Sequence, residues 1–139
     1  WWARENGIAA SFVESADSIN HAMPRFVAQR ALNLVDSSVI SPNVLILGVA
    51  YKPGVGDVRE TPASALRAAL VARGAEVAWI DPLVPLWEGT NPVSEAWDCD
   101  VAIVATNQPG LDVKSLLARG IPVLDCTNNY GEQAGVELL

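Results

Sequence analysis

A chain of 139 residues with 50% hydrophobic content is long enough to bury one proper core. Its net charge of −7 argues against general binding to nucleic acid or to an anionic membrane, since both need a dense cationic surface. No apolar run approaches the roughly 20 residues that span a bilayer, and no signal peptide is visible, so a cytoplasmic setting is expected.

The chain opens on Trp1-Trp2 with no initiator methionine, as expected of a piece cut from a longer protein. Over residues 15–36, helical spacing puts Ile19, Met23, Phe26, Val27, Ala31, Leu34 and Val35 on one face. Such a stripe reads as core or as an oligomer interface. Pro24 removes an N–H and crowds the carbonyl of Asn20, so a kink or a fresh start is predicted there. Asp36-Ser37-Ser38 then marks a break.

From residue 43 onward strands alternate with helices. Asn43–Ala50 reads as a continuously apolar strand, the pattern of a strand covered on both faces. Thr61 is a good N-cap and Pro62 suits the first helical position, with Ala65, Leu66, Ala69 and Leu70 as the buried stripe and Gly74 as the stop. Glu76–Ile80 forms the second strand, ended by Asp81-Pro82, and Pro85–Ala96 reads as a loop with room for one short helix. Asp100–Thr106 is the third strand, Leu111–Arg119 a helix and Ile121–Cys126 the fourth strand. This alternation predicts an α/β fold: a doubly wound, Rossmann-like parallel sheet preceded by an N-terminal helical segment.

The stretch Gly48-Val-Ala-Tyr-Lys-Pro-Gly-Val-Gly-Asp-Val-Arg-Glu-Thr-Pro62 joins the first strand to its helix. In such sheets ligands bind at the carboxyl ends of strands, where the strand order reverses. A helix N-terminus with cations close by, here Lys52 and Arg59, is a natural seat for an anion, so a phosphate site is expected. Gly48, Gly54 and Gly56 lack the Gly-x-Gly-x-x-Gly spacing of a dinucleotide-binding turn, which argues against an NAD site in this loop.

That long loop motif, followed by Arg73-Gly-Ala-Glu-Val77 and Asp81-Pro82, resembles the C-terminal domain of the UDP-glucose/UDP-mannosamine dehydrogenase family. Phe12-Val-Glu14, Ala16, Ile19-Asn20 and Met23-Pro24 resemble the end of that family's central helical domain. The Tyr-Lys form of the loop, with Trp2-Ala-Arg-Glu-Asn-Gly7 ahead of it, is similar to the members that oxidise UDP-N-acetylhexosamines. The resemblance implies that residues 1–40 end a central dimerisation domain and that residues 41–139 form the UDP-binding domain. It also implies a parent enzyme that oxidises the C6 hydroxyl of a UDP-sugar to a carboxylate through a cysteine-bound intermediate. NAD would be the cofactor, held mainly by a separate N-terminal domain, and the partners would be the UDP-sugar and a second copy in a homodimer.

Carried over by the resemblance, Tyr51 and Lys52 would lie against the UDP moiety. Arg59 would be either a substrate contact or half of a structural ion pair with Asp57, the latter ordering the loop. No catalytic residue is inherited, because neither Cys99 nor Cys126 has the family's glycine-rich surroundings, so this part alone is expected to be inactive. Both cysteines fit buried thiols of a reducing compartment, and no metal-ligand pattern surrounds the single His21, which reads as exposed or as a dimer contact. Asp125-Cys-Thr-Asn128 stands where the family has Asp-Thr-Arg-Asn, so Thr127 replaces an arginine that contacts substrate. The competing reading is a free-standing α/β module that binds a nucleotide or a partner protein and catalyses nothing.

Overall fold

The computed structural model of the chain describes residues 11–94 and 96–139, excluding the side chains of Ser11 and Phe12. The Trp2–Gly7 similarity therefore lies outside the described residues. In chain order the elements are α1 (Ser11–Leu32), β1 (Asn43–Leu47), α2 (Pro62–Val71), β2 (Glu76–Ile80), β3 (Val101–Val104), α3 (Val113–Ala118), β4 (Val123–Asp125) and β5 (Val136–Leu138). The five strands form one sheet in the order β2-β1-β3-β4-β5, with every pair parallel. Among the described residues, no helix is long and apolar enough to cross a membrane.

The continuous apolar runs of β1, β3 and β4 follow from burial on both faces. Val44, Ile46, Val101, Ile103 and Leu124 point to the side covered by α1 and α2. Leu45, Leu47, Ala102, Val104 and Val123 point to the side covered by α3. Strand order 2-1-3 reverses the direction of winding between β1 and β3, and the carboxyl ends of these two strands therefore frame a crevice.

Several elements differ from the expectations. The first strand ends at Leu47 because Gly48 turns the chain at φ +75°. The third strand stops at Val104 and the fourth is confined to Val123–Asp125. The helix predicted over Leu111–Arg119 is shorter, with Asp112 as its cap accepting from Ser115 N. The final strand β5 was not anticipated; at three half-buried residues it is too short for its pattern to stand out. The 85–96 stretch holds no helix among its described residues, and a bridge between Trp87 and Thr90 closes a turn there instead.

Helix α1 runs through Pro24 without a fresh start. Proline costs a helix interior about 3 kcal/mol, an amount that packing of the following turns can offset. Those turns bury Val27, Ala28 and Ala31, whereas Ile19 and Phe26 are 61% and 50% exposed. The true contact face is thus rotated towards the small alanines, which let α1 approach the sheet closely. In α2 the buried set is Ala63, Leu66, Ala69 and Leu70, with Ala65 exposed, while Thr61 and Pro62 take their predicted places as cap and first residue.

The β2–β3 crossover lies along the outer edge of β2. Its first half buries Val84 and Trp87 on the α1/α2 side, and its second half packs Val93, Trp97 and Cys99 on the other side. Val93 N bonds to the Trp79 carbonyl at 3.0 Å, and Trp79 meets Trp87 edge-to-face with centroids 5.8 Å apart. The edge strand is covered, which removes an exposed template for pairing with another chain. At the opposite edge, Arg30 of α1 pairs with Glu137 and donates to the Leu138 carbonyl at 3.1 Å.

Gly48 decides how close β1 and β3 can come at their exits, because a methyl group built on it would run into the Thr106 carbonyl. Gly48→Ala is therefore expected to cost about 3 kcal/mol, from the clash and the positive φ together. Urea denaturation checks this, and an unchanged midpoint would mean the β1 exit can shift away from Thr106 freely.

Candidate functional site

The loop from Gly48 to Glu60 lies over the β1/β3 crevice and is held there by side chains from the neighbouring strand ends. Asp81, 3% exposed at the end of β2, accepts from the amides of Val49 and Ala50 at 2.9 and 3.1 Å and from Leu83 N at 3.0 Å. Thr106, just past β3, donates its hydroxyl to the Ala50 carbonyl at 2.8 Å. Gln108 accepts from Gly54 N at 2.8 Å and donates to the Val55 carbonyl at 2.8 Å. Gly56 fits against the Leu83 carbonyl, where any side chain would clash. The loop closes on itself through Tyr51 N to the Asp57 carbonyl, 2.8 Å.

On this support, Tyr51, Asp57, Arg59 and Glu60 line an open pocket of about 410 Å³, while Lys52 is exposed in the same loop and is not part of that lining. The Arg59 guanidinium grips Asp57 with two bonds, Nε to Oδ1 at 2.9 Å and a terminal nitrogen to Oδ2 at 2.7 Å. Arg59 N also donates to Asp57 Oδ1 at 3.0 Å. The side-chain bond from Arg59, then its backbone bond, hold the Asp57 carboxyl far below the usual carboxylate range against the opposing effect of burial, and the charges of Arg59 and Lys52 add to the lowering. Both partners lie in solvent, so the pair fixes geometry more than it stabilises the fold.

Lys52 has no ion pair among the described residues. Residues 51–60 carry Lys52 and Arg59 against Asp57 and Glu60, so the loop as a whole is neutral. The expected anion seat at the α2 N-terminus is poorer in donors than the pattern suggests. Pro62 has no N–H, Ala63 N goes to Thr61 Oγ1 at 3.3 Å and Ser64 N to the Thr61 carbonyl at 3.4 Å. What remains at that end is the helix dipole.

The next strand ends build an adjoining cluster. Asp125, 1% exposed, accepts from Thr127 N at 2.8 Å, Thr127 Oγ1 at 2.7 Å and Tyr130 N at 2.9 Å. Burial alone would raise its pKa, but the bonds from Thr127, Tyr130 and Asn129 outweigh burial and leave it lowered. Thr127 thus ties down Asp125 rather than presenting a charge. Tyr130 Oη donates to Asn107 Oδ1 at 2.9 Å, joining the β3 and β4 ends.

His21 is exposed on α1, its Nδ1 2.8 Å from the Asp17 carbonyl. A further cavity, about 270 Å³ between α1 and α2, is lined largely by apolar groups including Met23, Val27, Leu66 and Leu139, and offers no cation to a phosphate. Among the described residues no three His, Cys, Asp or Glu side chains cluster as a metal site would need. Asp81, Thr106 and Gln108 were missed as site residues. The available signal was a polar residue at or shortly after the end of an apolar strand: Asp81 directly follows β2, and Thr106 and Gln108 lie just beyond β3.

The architecture is that of a Rossmann-like nucleotide-binding domain, with a pre-built loop over its topological switch point. Residues 45–132 match the UDP-glucose/GDP-mannose dehydrogenase family, UDP binding domain, and the chain belongs to that family. It is 30% identical over 112 residues to a UDP-N-acetyl-D-mannosamine dehydrogenase of Methanococcus maripaludis, covering 77% of this chain and 26% of the relative. It is 29% identical over 80 residues to a UDP-glucose 6-dehydrogenase of Rickettsia bellii, covering 58% of this chain and 18% of that one. A solved UDP-glucose dehydrogenase from Pyrobaculum islandicum superimposes with a TM-score of 0.71 at 26% identity, over 89% of this chain and 30% of the other. The native UDP-N-acetyl-mannosamine dehydrogenase of Staphylococcus aureus shares the fold at a TM-score of 0.75 and 20% identity, over 93% and 33% of the two chains. The chain spans about a quarter of the Methanococcus maripaludis relative it matches.

Neither cysteine is placed as a nucleophile. Burial pushes the Cys126 thiol up to about 12, with the Asp125 charge adding to it, and burial pushes Cys99 up to about 11, with Arg119 opposing. A pKa raised by folding stabilises the protein below the unfolded thiol's value of about 8.5, and that contribution is lost as pH rises through about 11–12. At about pH 8 the folded chain should resist iodoacetamide at both cysteines and react at both once unfolded in urea. Mass spectrometry reads the outcome, and rapid labelling of either native thiol would contradict the burial.

Proposed function

We propose that this chain is the UDP-holding part of an NAD-dependent nucleotide-sugar dehydrogenase that oxidises the C6 hydroxyl of a UDP-sugar to a carboxylate. The observation that carries the proposal is the fixed loop over the β1/β3 switch point, in which Lys52 is a cation with no ion pair among the described residues. Lys52 approaches the diphosphate or the sugar, Tyr51 packs against the nucleotide, and Arg59 contacts substrate while Asp57 holds it in place. Identities of 30% to a UDP-N-acetyl-D-mannosamine dehydrogenase and 29% to a UDP-glucose 6-dehydrogenase support a UDP-sugar as the substrate class.

The chemistry belongs elsewhere in the parent protein. Cys99 and Cys126 are poor nucleophiles where they lie, which supports an inactive part whose role is to bind and orient. The β1 turn does not fit NAD. The approach that a pyrophosphate needs beside a turn glycine is taken here by the Thr106 carbonyl packed on Gly48. NAD is therefore assigned to a separate domain, which supplies hydride acceptance when loaded. Residues 1–40 are proposed to end a central helical domain through which the parent dimerises.

Calorimetry with uridine diphosphate tests the assignment. Weak binding is expected, with Lys52→Ala reducing affinity about tenfold and added salt narrowing the difference. Equal affinity for the variant would remove Lys52 from the site. Tighter binding of NADH than of uridine diphosphate in a fluorescence titration would overturn the UDP assignment itself.

A further inference from the structure

We propose that Gln108 is a positioning residue whose side-chain amide, donating and accepting at once, holds the Tyr51–Val55 segment in the shape that binds a nucleoside diphosphate. The inference rests on the assignment of this crevice as a UDP site. Gln108 is 2% exposed, and every polar atom of its side chain is engaged. Its Oε1 accepts from Gly54 N at 2.8 Å, and its Nε2 donates to the Val55 carbonyl at 2.8 Å. The same nitrogen lies 3.4 Å from Asp81 Oδ2 and 3.5 Å from the Lys52 carbonyl. Asp81 Oδ2 is also the acceptor for Val49 and Ala50, so one buried pair joins the exit of β1 to the far side of the loop.

This arrangement demands a neutral amide. A carboxylate has no N–H for the Val55 carbonyl, an ammonium cannot accept from Gly54, and a hydrocarbon leaves both backbone groups unmatched. The Tyr51 and Lys52 side chains are exposed and gain no placement from packing of their own, so their positions depend on the backbone beneath them. That backbone is what Gln108 grips from β3. The charged groups on the elements around it are Asp81 at the end of β2 and Lys52, Asp57, Arg59 and Glu60 in the loop. Of these, only Asp81 is within reach of its side-chain amide.

The test uses Gln108→Leu and Gln108→Glu in the full 139-residue chain. Uridine diphosphate affinity is measured by calorimetry at about pH 8 and about pH 5.5, each value taken relative to the unsubstituted chain at the same pH. Gly54 amide exchange is followed by NMR without nucleotide. Gln108→Leu should bind about tenfold more weakly at both pH values and exchange Gly54 faster. Gln108→Glu should be as weak at about pH 8, where its charge faces Asp81. It should recover most of the affinity and Gly54 protection at about pH 5.5, where the neutral acid again donates to Val55. A loss of mere packing would show no such pH-dependent rescue.

Affinity and Gly54 protection unchanged in Gln108→Leu, or a Gln108→Glu deficit that does not shrink at low pH, would overturn the proposal. An unsubstituted chain that binds no uridine diphosphate would sink the UDP assignment instead. The nucleotide-free exchange data then still decide whether Gln108 orders the loop.

Discussion

The carboxylate of Asp81, buried at the end of β2 and accepting the amides of Val49 and Ala50, is the contact on which the site depends. Where β1 ends, its backbone leaves the ladder, and those amides would otherwise be buried with no partner. Leaving a buried donor unmatched costs about 1–3 kcal/mol, so this one side chain determines where the chain can go after the strand. Thr106 and Gln108 then fix the next residues from the β3 side, and Gly48 and Gly56 let two backbones approach where no side chain fits. The result is a loop set in place by three strand ends.

Part of the loop's backbone is already spent: the amides of Gly48, Val49, Ala50, Tyr51, Gly54 and Arg59 serve the fold. Those amides are withdrawn from an anion, which leaves side chains, the dipole of α2 and the loop's other amides to attract one. Arg59 is largely committed to Asp57, and Glu60 borders the pocket. On the proposed reading, Lys52 supplies the cation of a loop whose bonded backbone needs little reorganisation on binding. Such a frame fits the role proposed above, holding a nucleoside diphosphate.

The helical segment packs against the sheet and α2. Val27, Ala28 and Ala31 of α1 belong to the same core as β1, β3 and α2, and Arg30 pins α1 to β5. Small residues carry this contact while larger apolar side chains on α1, Ile19 and Phe26, remain in solvent. Hydrophobic size along a helix is thus a poor guide to its contact face when close approach, not bulk, limits the packing. The wrapped crossover around β2 shows the same principle, since Trp87 and Trp97 with Val84 and Val93 do the covering that a helix does in more regular sheets.

Sequence alone determined the strand and helix alternation, the boundaries of β2, the Thr61 cap and the loop that carries Tyr51, Lys52, Asp57 and Arg59, because each is written in local periodicity or turn chemistry. Also legible were the absence of a dinucleotide fingerprint and the family resemblance, both properties of contiguous residues. Tertiary structure decided which face of α1 is buried, that Ala63 and not Ala65 lies inside, and that β5 exists at all. It also decided that Asp81, Thr106 and Gln108 converge on one loop, though they come from positions 25 or more residues apart in part. No local pattern encodes such a meeting. It follows from strand order, which is set by burial across the whole sheet and brings the ends of β1, β2 and β3 side by side.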